Sequence, residues 1–198
     1  MLKRFNLENQ IYFITSKTFD NEKIFSDDRS CRLFIEVLNE CKDKYGFELF
    51  GYVIMPDHIH LLIKPNPRNT ISDVMHRIKG SFAYKYLMMT RNHKGSATRE
   101  NGINKPTLLR MSQSQLRVAD PSWVGEKRQR IKQQPIWQKS FYDHAIRNHQ
   151  DFLEKLNYIH KNPLKHNIAN DLNQYQYSSY QNYYLSNNNL TKIDEYEI

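Results

Sequence analysis

Short runs of apolar residues, some alternating with polar ones, are separated by segments in which apolar residues recur every three to four positions. Ile11–Thr15 (IYFIT), β-branched and aromatic, reads as a first strand. Ser26 or Asp27 caps a helix over Asp28–Tyr45, where Phe34, Val37, Leu38, Cys41 and Tyr45 keep helical spacing and Gly46 suits the position past its end. Phe47–Met55 and Ile59–Lys64 are two further strands, joined as a hairpin across Pro56-Asp57. After the Pro65–Asn69 loop, Thr70 and Asp73 form an approximate capping box for a second helix. Its stripe is Ile71, Val74, Ile78 and Phe82, and its pattern fades near Thr90. From Arg91 to Gln134 no period persists, apart from a candidate short helix at Glu126–Gln133. Trp137–Ile146 is a fourth strand of imperfect alternation. Asn148 caps a third helix, Gln150–Asn162, which Pro163 stops. The Asn/Tyr-rich tail from Leu164 is expected to wrap the body loosely and fray.

The order β-α-β-β-α-β followed by a helix is the α+β, ferredoxin-like pattern: an antiparallel sheet with two helices on one face. Its other face is open, and the third helix is free to cover part of it. The expected division is a body over residues 1–166, carrying an insertion at about 91–134, and a tail over 167–198.

Charge sharpens this picture. The net charge is +8, and ten Lys and Arg between Arg91 and Lys132 are opposed only by Glu100, Asp120 and Glu126. A compact body with a basic insertion points to a polyanion partner. No apolar run approaches the roughly 20 residues of a membrane span, and the N-terminus lacks a signal-peptide apolar region, so a cytoplasmic location is expected. Cys31 and Cys41 on one helix are roughly 15 Å apart, too far for a disulfide between them.

Side chains alternate along a strand, so His58 and His60 face the same way, about 6–7 Å apart. Two imidazoles on one face are half of a metal site. On the third helix, Tyr158 lies off the Phe152/Leu156/Ile159 stripe, and Asn162 follows one turn later. If this helix crosses the open face, Asn162 becomes a third ligand beside the imidazoles, with Tyr158 next to the cation. A divalent ion with open positions polarises a phosphate oxygen, and the phenol, activated by Lys155, Lys161 or the metal, attacks it.

Three blocks, MPDHIHLLI, WQKSFYDHAIR and LNYIHKNPLKHN, in that order, resemble the HUH single-tyrosine transposases, nearest to the REP-associated tyrosine transposases and the single-strand insertion-sequence transposases. The resemblance runs from about Gln10 to His166. It implies a ferredoxin-like catalytic domain that cleaves single-stranded DNA beside hairpins and rejoins it through a 5′-phosphotyrosine, with Mg2+ or Mn2+ as cofactor. By position in the motif it implies His58 and His60 as the HUH pair, Tyr158 as nucleophile and Asn162 as the polar ligand. Arg77, Lys79, Lys85, Arg147, Lys155 and Lys161 are the expected DNA contacts. The long 91–134 insertion departs from the family pattern. Relatives that exchange the tyrosine helix between subunits, and others that act as monomers, leave a homodimer open.

Blander readings compete. A His-x-His is more often packed or solvated than ligating, and Asn before Pro is ordinary helix-end chemistry. Tyr142 and Tyr84 compete with Tyr158 as nucleophile. Two other classes stay open: a non-catalytic ferredoxin-like nucleic-acid-binding module, and a zinc hydrolase using His58, His60 and a third ligand such as His144.

Overall fold

The computed structural model describes residues 9–96 and 134–196. Four strands, β1 (Tyr12–Lys17), β2 (Glu48–Met55), β3 (His58–Lys64) and β4 (Tyr142–Ala145), form one sheet in the order β2-β3-β1-β4, every neighbouring pair antiparallel. Helices α1 (Asp28–Tyr45) and α2 (Ile71–Ser96) connect β1 to β2 and β3 to β4, and α3 (His149–Lys165) follows β4. The fold is therefore α+β, with a four-stranded antiparallel sheet.

Local chemistry sets the helix ends. The Asp27 carboxylate accepts the Arg29 N–H at the start of α1, and Gly46 closes it in the left-handed region, at φ 64°. Thr70 and Asp73 bond reciprocally at the start of α2. The Asn148 side chain accepts the Asp151 N–H at the start of α3.

The strand alternation divides the core in two. Tyr12, Ile14, Ile59, Leu61 and Ile63 pack with Phe34, Leu38, Val74, Ile78 and Phe82 of α1 and α2. Phe13, Val53, Met55 and Leu62 pack on the other face with Phe152, Leu156 and Ile159 of α3. A Cβ at Gly51 would lie 2.9 Å from Leu156 Cδ1, so glycine is what lets α3 approach β2 this closely.

Three elements differ from the sequence reading. The fourth strand spans only Tyr142–Ala145, because the Trp137 ring turns into the core against Phe25, Phe34 and Phe82 and meets the sheet only through a bridge to Thr18. Helix α3 runs through Pro163 to Lys165. The proline lacks the N–H that would reach Ile159, but the ladder resumes when the His166 N–H donates to the Asn162 carbonyl at 3.1 Å.

The tail is docked rather than loose. Ile54 N–H donates to the Tyr177 carbonyl, Ser179 N–H to the Tyr52 carbonyl, and Tyr52 N–H to Ser179 Oγ, all along the outer edge of β2. A short helix, α4 (Tyr180–Leu185), follows. Asp194 then accepts the Leu49 N–H through its carboxylate and donates its own N–H to the Leu49 carbonyl, and Tyr196 stacks on Phe152.

Residues 97–133, most of the basic insertion and the candidate helix in it, lie outside the described residues. No helix among the described residues is long and apolar enough to cross a membrane.

Candidate functional site

The β2–β3 hairpin and the β1 register build the site floor. His58 and His60 share one face of β3, their ring centroids 4.8 Å apart. Opposite them on β1 stand Lys17, partner of His58, and Thr15, partner of His60. Each imidazole is held through Nδ1. The Asp57 carboxylate accepts from His58 Nδ1–H at 2.6 Å, and the Thr15 hydroxyl bonds His60 Nδ1 at 2.8 Å. With Nδ1 carrying the proton, each Nε2 is an acceptor, the tautomer that ligating histidines take.

His60 is 3% exposed, and Phe13 stacks on its ring at 5.3 Å. Burial pushes its imidazole down to about 3, and burial likewise lowers that of His58. Both are neutral near pH 7, the form that donates to a cation.

Helix α3 brings the other half. The Tyr158 ring lies 5.2 Å from that of His60 and edge-on to Phe13 at 5.7 Å, and it is 39% exposed. One turn on, Asn162 is fully buried, and its Nδ2 lies 3.3 Å from His60 Nε2. Its Oδ1 has no hydrogen-bond partner among the described residues. The Asn162 amide nitrogen bonds His60 while its amide oxygen is orphaned, and such a residue beside two imidazoles fits a divalent cation, since leaving that oxygen buried and unpaired costs on the order of 1–3 kcal/mol. Among the described residues no group of three or more His, Cys, Asp or Glu could hold a metal ion. The candidate donors are two imidazoles and an amide.

The remaining candidates fall on different sides of the molecule. Lys155 lies near the site, its Nζ 5.8 Å from the Phe13 ring, and Lys161 is exposed on α3. Arg147 is exposed just before α3, with Tyr158 eleven residues further along the chain. Arg77, Lys79 and Lys85 belong to α2, across the sheet from the histidines. There Arg77 covers the Tyr45 ring, Lys79 donates to the Gln138 and Ser140 carbonyls, and Lys85 pairs with Glu36 and Glu40 at 2.7 Å each. Tyr84 sits on that same helix.

His144 Nε2 donates to the Asp151 carboxylate at 2.8 Å. Burial works to raise the Asp151 carboxyl, but hydrogen bonds from His144 and the Arg147 N–H hold it below the usual range. This pairing ties β4 to the start of α3 and places His144 outside the histidine pair's donor set.

Several site residues escaped the sequence reading. Thr15 and Lys17 share a face with Phe13 by alternation, but only the β1–β3 register sets them against the histidines. Lys165, with Nζ 5.4 Å from the Tyr158 ring, and His166, 6.0 Å from His58, arrive because α3 continues past Pro163.

The family model described as "Transposase IS200 like" matches residues 6–102. A putative REP-associated tyrosine transposase of Haemophilus influenzae is 28% identical over 86% of this chain and 79% of its own length. The REP-associated tyrosine transposase of Escherichia coli is 38% identical over 23% of this chain and 27% of its own. A solved structure of a REP-associated tyrosine transposase bound to a REP hairpin aligns with a TM-score of 0.63 at 17% identity, covering 100% of this chain and 92% of that one, a likeness of fold. With the three sequence blocks and the family match in agreement, the chain belongs to the IS200-like transposases, as an HUH-type single-tyrosine enzyme.

Proposed function

We propose that the chain nicks and rejoins single-stranded, hairpin-bearing DNA through a 5′-phosphotyrosine on Tyr158. The observation that carries this reading is the meeting, within one chain, of Tyr158 and Asn162 with His60, at 5.2 Å between rings and 3.3 Å between Asn162 Nδ2 and His60 Nε2. The four-stranded sheet is read as ferredoxin-like, with α3 as its tyrosine-bearing addition. The relative whose structure holds a REP hairpin supports the substrate class.

The phenol oxygen of Tyr158 attacks the phosphorus, and the bond to the 3′-oxygen breaks, leaving a 3′-hydroxyl. Attack by a 3′-hydroxyl on the tyrosine ester reverses the step and joins strands without an external energy source. His58, His60 and Asn162 would hold Mg2+ or Mn2+, which supplies Lewis-acid polarisation of the phosphate. Asp57 and Thr15 orient the two imidazoles by fixing their Nδ1 protons. Lys17 and Lys155 place positive charge beside the phosphate path, and Lys161 and Arg147 extend it along α3. Arg77, Lys79 and Lys85 stand across the sheet and would reach DNA only where it wraps that side.

The test is incubation of the protein with a hairpin-bearing oligonucleotide and magnesium, followed by denaturing electrophoresis. A covalent adduct that maps to Tyr158, and is lost in Tyr158→Phe, is the expected result. Binding without any adduct would favour a non-catalytic nucleic-acid module instead.

A further inference from the structure

We propose that Tyr142 is a stacking platform for a nucleobase of the single strand beside the scissile phosphate. This rests on the reading that Tyr158 attacks that phosphate, and it adds a residue that positions the strand.

The placement follows from β4. Tyr142 is the cross-strand partner of Thr15, so the two side chains emerge on the same face, and the Thr15 hydroxyl bonds His60. Tyr142 therefore shares the histidine pair's face of the sheet, with only β1 between them. Helix α3 lies over β2 and β3, where Leu156 reaches Gly51 and Ile159 packs with Val53 and Leu62. Among the described residues α3 meets β4 at His144, through Asp151, and leaves Tyr142 exposed.

Tyr142 contributes little to packing there. The residue is 58% exposed, and its ring meets Phe13 edge-on at 6.5 Å. Phe13 in turn touches the Tyr158 ring at 5.7 Å, so two exposed phenols flank one shared buried ring. An exposed aromatic face beside lysines is what an unpaired strand uses: bases stack on the rings and phosphates follow the cations. Lys17, opposite His58 in the register, and Lys155, over Phe13, supply those cations. The charge excludes an apolar protein segment as the natural occupant, and the single exposed ring matches one flat base. Tyr158 has a different part, since its hydroxyl is the attacking group.

The experiment uses the full chain and a hairpin-bearing oligonucleotide with 2-aminopurine at successive positions of its single-stranded flank. In the native protein and in Tyr142→Phe, 2-aminopurine next to the cleaved phosphodiester is expected to be quenched on binding. In Tyr142→Ala the quenching is lost and KM for nicking rises about tenfold, the scale of one base–aromatic stack. The rate of Tyr158 adduct formation at saturating DNA changes by less than about twofold, because the platform holds the strand and takes no part in bond breaking. An alanine variant that keeps both the quenching and the KM overturns the proposal, as does a phenylalanine variant as impaired as alanine. Those failures leave the Tyr158 adduct intact. Absence of the adduct in the native protein would instead sink the underlying reading and this proposal with it.

Discussion

On the α1–α2 side of the sheet, Phe25, Phe34, Phe82 and Trp137 meet ring to ring, and the cations around them are engaged by the protein itself. Lys85 bridges Glu36 and Glu40, and Lys79 ties down two carbonyls of the segment before β4. On the α3 side the helix covers only part of the sheet. Lys155 and Lys165 there lie over the rings of Phe13 and Tyr158, and a buried amide oxygen lacks a partner. The same residue types thus have opposite uses. A lysine between two carboxylates ties a helix pair together, whereas Lys155 and Lys165 lie against aromatic rings at the candidate site. What holds the lysines (carboxylates and carbonyls on one face, aromatic rings on the other) separates the two faces more sharply than composition does.

The contrast can be broken most severely at its centre. Tyr158→Phe is expected to lower nicking by roughly 10³-fold or more and to leave the melting temperature unchanged, because Tyr158 is an exposed residue. Residual adduct in that variant would move the nucleophile elsewhere. On the sealed face, Phe82→Ala should cost about 3–5 kcal/mol of stability by leaving a cavity among the rings. Denaturant melts would measure it, and the activity of the folded fraction should hold.

Smaller effects sharpen the comparison. Thr15→Val removes the hydrogen bond at His60 Nδ1 and should weaken Mn2+ binding by about 10–100-fold, measured by calorimetry. Unaltered affinity would mean that the stacked Phe13 ring alone fixes the imidazole. Acid should also divide the two sides. His60 and His160 are buried between the sheet, α3 and the tail, their imidazoles pushed down by burial to about 3 and about 4. The unfolded chain takes up those protons near pH 6.5, so the stability they protect is complete above that value and falls as pH drops toward 4. Hydrogen exchange should show α3 and α4 losing protection before α1 and α2 over that range, and a uniform loss would count against the division. Least of all, Lys17→Gln should reduce the salt dependence of DNA binding by about one unit of slope. Lys85→Gln should leave that slope as it is and cost less than about 1 kcal/mol of stability.

What the sequence made legible follows from how far each interaction reaches along the chain. The β2–β3 hairpin and its histidines are local, since a two-residue turn sets the register and alternation sets the face. The Tyr158–Asn162 pair is equally local, a consequence of helical spacing. Trp137 was harder to place, because an apolar residue in a short run suits a strand and a core plug alike. Only the rings of Phe25, Phe34 and Phe82, contributed by the α1 and α2 regions, decide between them. Thr15 and Lys17 were invisible as site residues because their role depends on which strand β1 pairs with. Lys79 and Lys85 read as surface cations until Glu36, Glu40 and the Gln138 carbonyl are placed beside them.

The seam along β2 has a consequence for biosynthesis. Tyr52 is translated 127 residues before Ser179, whose hydroxyl accepts its N–H. At about 5–20 residues per second the ribosome leaves that strand border bare for several seconds or more. An unsealed strand border recruits other strands. A nascent chain of this protein therefore carries this strand border unsealed until the tail is made.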